Sequence, residues 1–254
     1  MKTLKIVLAV VVLSLAVSYA DAQVKKAPVK KAPVTTVKGK TVTKKPVLQK
    51  AKPVIAAKPI PGIRIRLTTD SGIIVIRLYD STPLHRDNFV KLVNAHFYDS
   101  LLFHRVINGF MIQGGDPLSR NAQPGEMLGS GGGDMERIPA EFRTTLFHKK
   151  GVLAAARDGN PEKASSACQF YLVQGRKYSD EEMNMMEAQM GTKFSPAKRL
   201  AYKTLGGTPF LDMNYTVFGE VEKGLEVIDK IASVPTAPGD RPVGDVRMKM
   251  EVVQ

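Results

Sequence analysis

The chain has 254 residues, 43% of them hydrophobic, and a formal net charge of +13, which suits one globular domain of ordinary size or two small ones. Residues 1–61 carry 13 lysines and a single acid, Asp21, whereas residues 62–254 carry 24 Lys and Arg against 23 Asp and Glu. The basic character therefore belongs to the N-terminal tail, and no nucleic-acid partner is expected for the folded part.

The first 22 residues read as a signal peptide. Lys2 and Lys5 form a basic start, Ile6 to Val17 an apolar core, and "ADA" (Ala20 to Ala22) offers small residues for cleavage. Cleavage after "SYA" is a second option. An uncleaved anchor is the alternative, but the run is short for a span that needs roughly 20 apolar residues. Residues 23–61 form a linker that repeats itself as "VKKAPVKKAPV" and holds 11 lysines with no acid. Like charges and prolines keep such a segment extended, and it has too little apolar content for a core. It reads as a solvated spacer, or as a weak tether to anionic envelope polymers or lipids. The expected location is exported, periplasmic or secreted. The lone Cys168 cannot form an internal disulfide.

The domain over 62–254 begins with "IRIRL", an alternating strand, then the turn "TDSG" and the more buried strand "IIVIRL" (Ile73 to Leu78), a predicted hairpin. "STP" then caps a helix that runs to about Ala95, with Phe89, Val90 and Val93 inward. Further strands are expected near Phe110–Gln113, Val152–Ala156, Gln169–Val173 and Thr216–Val221. "KGLEVIDKIASV" places Leu225, Ile228, Ile231 and Ala232 at helical spacing. The last strand sets Val246, Met248, Met250 and Val252 on one face. Many short strands with two isolated helices predict a mainly β fold, a closed barrel capped by helices. Residues 176–207 interrupt this pattern with a helical hairpin. It opens on a capping box, Ser179 with Glu182, and continues through Met183, Met185, Met186 and Met190 to Gly191. Its methionines are expected to pack on the barrel, with a client-binding surface as the alternative.

Several chemistries are set aside. His85, His96, His104 and His148 lack metal-site spacing, so no metal or other cofactor is expected. "GSGGGD" is followed by no Gly-Lys-Ser/Thr, and no Gly-x-Ser-x-Gly elbow occurs. Cys168 sits inside the strand-like "ACQFYLV" and reads as a buried structural thiol.

What remains is "FHRVINGFMIQGGD", Phe103 to Asp116. This stretch resembles the signature of the cyclophilin family of peptidyl-prolyl isomerases. "ACQFYLV" and "FLDMNYTVFGEV" (Phe210 to Val221) are similar to two further segments of that family, in the same order. The resemblance implies an antiparallel eight-stranded barrel closed by two helices. It also implies that Arg105 is the catalytic arginine and that Phe110, Met111, Tyr171 and Leu211 wall a proline pocket. Gln113 would support the arginine and contact the substrate backbone. Ala156 and Arg157 would hold the substrate through main-chain groups. Gln169, Phe210 and Tyr215 would complete the groove, with His104 in a supporting place. Four positions depart from the family's common residues: Tyr171 for Phe, Arg157 for Asn, Phe210 for Trp and Tyr215 for His. Activity should survive, whereas cyclosporin should bind weakly without the indole N–H.

The resemblance implies an enzyme that speeds X-Pro isomerisation while exported proteins fold. Its partners would be proline-containing unfolded or partly folded polypeptides, and a monomer is expected. The rival expectation is a chaperone or scaffold module, with catalysis incidental and the Met-rich hairpin as its working surface.

Overall fold

The computed structural model describes residues 62–253. The predicted signal peptide (1–22) and linker (23–61) lie outside the described residues. Strands β1 (Arg64–Thr69) and β2 (Gly72–Leu78) form the predicted hairpin. Their alternation buries Ile65, Leu67, Ile74, Ile76 and Leu78 on one face and leaves Ile73 half exposed on the other. β2 is the more buried of the two strands, as expected, with only Ile73 exposed on its outer face.

Helix α1 (Pro83–Asn94) buries Phe89, Leu92 and Val93, and Val90 packs at the edge of the same core. The predicted cap at its start differs from what forms. The Thr82 hydroxyl turns back to donate to the Tyr79 carbonyl at 3.4 Å and caps nothing. The Glu141 carboxylate accepts from the N–H groups of Leu84 and His85 at 3.2 and 3.0 Å instead. An anion from 57 residues away thus meets the unpaired donors and positive end of the helix.

The remaining elements in chain order are β3 (Phe103–Ile107), β4 (Met111–Gly114), β5 (Val152–Ala155), β6 (Phe170–Val173), α2 (Asp180–Met190), α3 (Pro196–Thr204), β7 (Val217–Lys223), α4 (Leu225–Ala232), the two-residue strands β8 (Thr236–Ala237) and β9 (Arg241–Pro242), and β10 (Lys249–Val253). Eight strands make one antiparallel sheet in the order β10-β1-β2-β7-β5-β6-β4-β3. Its outer ends meet just before β3 and β10. Met248 donates to the Leu101 carbonyl, while Phe103 and Ser100 donate to those of Val246 and Met248, each at 2.9 Å. The sheet is therefore curled around a core of Ile, Leu, Val, Phe and Met side chains. α1 packs against β10 and β7, and α4 against β2, β3 and β4.

Helices α2 and α3 form the predicted hairpin between β6 and β7. Both halves of the Ser179–Glu182 capping box are present, and Gly191 ends α2 at φ 62°. The two arms of the insertion leave the barrel in close contact: a Cβ on Gly175 would lie 2.3 Å from Gly207 Cα. Only glycine allows that approach. The methionines depart from expectation. Met183 is buried among Tyr178, Phe194 and Tyr202, with Met186 and Met190 at the margin and Phe147 their partner outside the insertion. The hairpin has a small core of its own, in which Met183 packs with the rings of Tyr178, Phe194 and Tyr202, and Phe147 joins that core to the barrel. Met185 is 60% exposed. Val252 keeps the expected face, paired with the buried Ile65, but at the strand end it is half exposed, unlike Val246, Met248 and Met250.

Candidate active site

Period-2 alternation divides each central strand between two faces. Ile112, Leu153, Phe170 and Leu172 point into the main core, while Met111, Val152, Ala154, Tyr171 and Val173 gather in a second cluster on the outer face. Phe110, Leu211 and Tyr215 pack against that second cluster. Arg105 reaches this face through a β-bulge. Phe103 pairs with Gly114 and Arg105 with Gln113, so His104 is an extra residue in β3. A bulge kinks its strand and re-aims the side chain that follows.

Arg105, Phe110, Met111, Gln113, Ala156, Arg157, Tyr171, Leu211 and Tyr215 line one cavity of about 140 Å³. Roughly 150 Å³ suffices for a benzene ring, so a five-membered ring fits. The Arg105 side chain is 43% exposed, and its Nε donates to Asp240 Oδ2 at 3.3 Å. Its two terminal nitrogens have no partner among the described residues.

Three sequence expectations meet different partners. Gln113 does not bond to Arg105. Its Nε2 donates to Gln169 Oε1 at 3.1 Å, and Gln169 Nε2 donates to the Gly129 and Gly131 carbonyls, both at 2.9 Å. Gln169 lies outside the first cavity but shares a second, of about 250 Å³, with Gln113, Ala156 and Arg157. The Ala156 main chain is occupied internally: its N–H donates to Gln169 and its carbonyl accepts from Ser166, each at 2.9 Å. Arg157 retains a main chain without a partner among the described residues. Its side chain is held by the Asn214 carbonyl at 2.9 Å and lies 4.7 Å over the Tyr215 ring. Phe210 stands beside the cavity and stacks on Phe110, with ring centroids 5.8 Å apart.

His104 is buried, and neither ring nitrogen has a hydrogen-bond partner among the described residues. Burial pulls its pKa down to about 4; Asp116 opposes this, while Arg105 and Arg241 add to it. The ring is thus a neutral filler behind the arginine.

Beneath the cavity lies a group that sequence reasoning missed. His148 Nε2 sits 3.1 Å from the Tyr171 hydroxyl, and His148 Nδ1 sits 3.0 Å from Asp212 Oδ1. Asp212 Oδ2 accepts from Lys198 at 3.0 Å and from Tyr202 at 2.9 Å, both on α3. The carboxylate fixes the tautomer: Nδ1–H donates to Asp212, so Nε2 accepts from Tyr171. Burial lowers the His148 pKa against the pull of Asp212. Burial opposes ionisation of Asp212, but the His148 ring and main chain, with Lys198, hold its carboxyl below the usual range. Burial also keeps Tyr171 a hydroxyl, well above its ordinary value. The signal in the sequence was Tyr171, a hydroxyl in an apolar wall that needs a buried partner.

A family model described as cyclophilin type peptidyl-prolyl cis-trans isomerase matches residues 64–252. This chain belongs to that family. A Staphylococcus haemolyticus protein named for peptidyl-prolyl cis-trans isomerase activity is 36% identical over 185 residues, covering 72% of this chain and 87% of its own. A Staphylococcus aureus protein of the same description is 33% identical over 72% of this chain and 88% of its own. A crystal structure of a Cryptosporidium parvum cyclophilin-type isomerase superposes with a TM-score of 0.56 at 22% identity, covering 76% of this chain and 98% of that one. A second structure of it, in the presence of the dipeptide Ala-Pro, gives 0.53 over 75% and 99%. The fold is thus a cyclophilin fold, and the chain is a peptidyl-prolyl isomerase of the cyclophilin type. Within that family, the Tyr171–His148–Asp212 chain accommodates a tyrosine where phenylalanine is common.

Proposed function

We propose that this isomerase accelerates X-Pro isomerisation in unfolded or partly folded exported polypeptides, with Arg105 stabilising the twisted bond. Amide resonance sets the barrier at about 18–20 kcal/mol. Rotation breaks that resonance and transfers no proton or group. The nitrogen regains a lone pair and accepts a hydrogen bond. A guanidinium suits this task because it is a charged donor with no pH switch in the working range. The observation that carries the reading is Arg105 itself. It stands on the wall of a cavity sized for a proline ring, with two nitrogens unpartnered among the described residues. Its contact with Asp240 is half exposed on both sides, so solvent weakens it and substrate can displace it.

Magnitudes limit what one arginine does. Raising a rate near ~10⁻² s⁻¹ to about 10³ s⁻¹ removes roughly 7 kcal/mol from the barrier. One hydrogen bond to a charged group contributes roughly 1.5–3 kcal/mol. The rest comes from fixing the proline ring against Phe110, Met111 and Leu211 while the preceding carbonyl turns, and from excluding water there. The Arg157 main chain, unpartnered among the described residues, and Gln113 would hold the substrate backbone. A proline-peptide isomerisation assay on the wild type and Arg105→Ala tests this reading. Export is supported by the signal-like start, the acid-free lysine linker and a single cysteine.

A further inference from the structure

A groove of about 360 Å³ runs between the tip of the inserted hairpin and the turn that follows Phe210. Met190 and Phe194 line it from the hairpin, and Phe210 and Met213 from the turn. It adjoins the proline cavity. Phe210 stacks on Phe110 of that cavity, and the next residue, Leu211, lines the cavity itself.

Two further features point to an occupant. Phe210 is 46% exposed and Met213 42%, so both leave apolar surface in water next to the site. Met213 also holds φ at 60°. That left-handed conformation suits glycine or asparagine and strains a methionine. An exposed, strained methionine contributes nothing to the main core. Such strain gathers at ligand-holding positions.

Lys193 and Lys198 both line the groove. Lys193 Nζ is paired with Glu187 at 3.0 Å and Lys198 Nζ with Asp212 at 3.0 Å, and both carboxylates are 4% exposed. Each amine is thus engaged with a buried carboxylate, Glu187 serving Arg199 as well, and the four apolar side chains Met190, Phe194, Phe210 and Met213 set the groove's preference for apolar surface. We infer that this groove is an extended substrate subsite. It takes a bulky apolar side chain, Leu, Met or Phe, from the same polypeptide whose proline occupies the adjoining cavity. The hairpin thereby selects segments in which a proline lies a few residues from an apolar residue.

The inference rests on the proline cavity being the reaction site, and the test separates the two. The full chain is assayed on a short proline peptide and on longer peptides extended on either side of the proline. Each long peptide carries Leu or Ser at one of the positions two to five residues away. In one direction, one Leu peptide should exceed its Ser counterpart in kcat/KM by about tenfold, mostly through KM, as expected for burial of a leucine side chain. Met213→Gly fits the left-handed backbone and retains the fold. It should reduce that advantage to less than about threefold and leave short-peptide turnover unchanged. Equal turnover of every Leu and Ser pair, with the short peptide still isomerised, would overturn the subsite and spare the isomerase reading. Equal loss on short and long peptides in Met213→Gly would also overturn it. No turnover of the short peptide would overturn both readings.

Discussion

Replacing Tyr171 with phenylalanine removes one oxygen from the floor of the cavity and tests the buried chain beneath it. The hydroxyl donates to His148 Nε2 at 3.1 Å, and the tautomer is set by Asp212 on the other ring nitrogen. Tyr171, His148 and Asp212 are 4%, 1% and 6% exposed, so water does not readily replace the lost donor. Leaving a buried acceptor unpaired costs about 1–3 kcal/mol. With a urea dependence near 2 kcal/mol/M, the unfolding midpoint should fall by roughly 1 M. The assay is equilibrium urea unfolding followed by circular dichroism, beside peptide isomerisation. kcat/KM should stay within about threefold of wild type, because the hydroxyl points to His148 rather than to the bound proline. An unchanged midpoint would refute the hydrogen-bonded chain. A tenfold loss of turnover at unchanged stability would instead place the hydroxyl on the substrate.

Three further outcomes follow from other groups. Acidification should destabilise the fold between pH 6.5 and about 4. His104 stays neutral in the folded state down to about pH 4, whereas the unfolded chain takes up the proton near 6.5. The unfolded state thus binds more protons in that window, and stability falls with pH by up to about 3 kcal/mol from this residue alone. His148 and His85 shift in the same direction, and unfolding midpoints measured across that window check the slope. Cyclosporin should inhibit weakly, because Phe210 presents a ring without an N–H donor; nanomolar inhibition in a titration would contradict this. Deleting residues 1–22 should retain the protein inside the producing cell; cell fractionation reads this, and unchanged export would contradict it.

Local signals in the chain carried well where the structure is local. The Ser179–Glu182 capping box and the Gly191 stop each depend on a few neighbouring residues, and each forms as expected. So do the β1–β2 hairpin and the apolar face of α4. Met111, Gln113 and Tyr171 converge on one cavity because strand alternation and direct cross-strand pairing put them on the same face. Long-range partners were not legible. Glu141 caps α1 across 57 residues, and His148 meets Asp212 across 64. No spacing rule connects such positions before the barrel brings them together. β3 was also hidden as a separate strand. Its bulge at His104 breaks the alternation that would reveal it, and the same bulge aims Arg105 at the cavity. The pairing of Gln113 with Gln169 rather than Arg105 is a third case, since a cross-strand neighbour and a hydrogen-bond partner need not be the same residue.

The most direct measurement is the rate of cis–trans exchange in a proline peptide with wild type and with Arg105→Ala, each checked for an unchanged unfolding midpoint. Loss of one charge-assisted bond to the twisted nitrogen, worth roughly 1.5–3 kcal/mol, should lower kcat/KM by about 10- to 150-fold. Equal rates in the two proteins would contradict the proposed role of Arg105 and the account built on it.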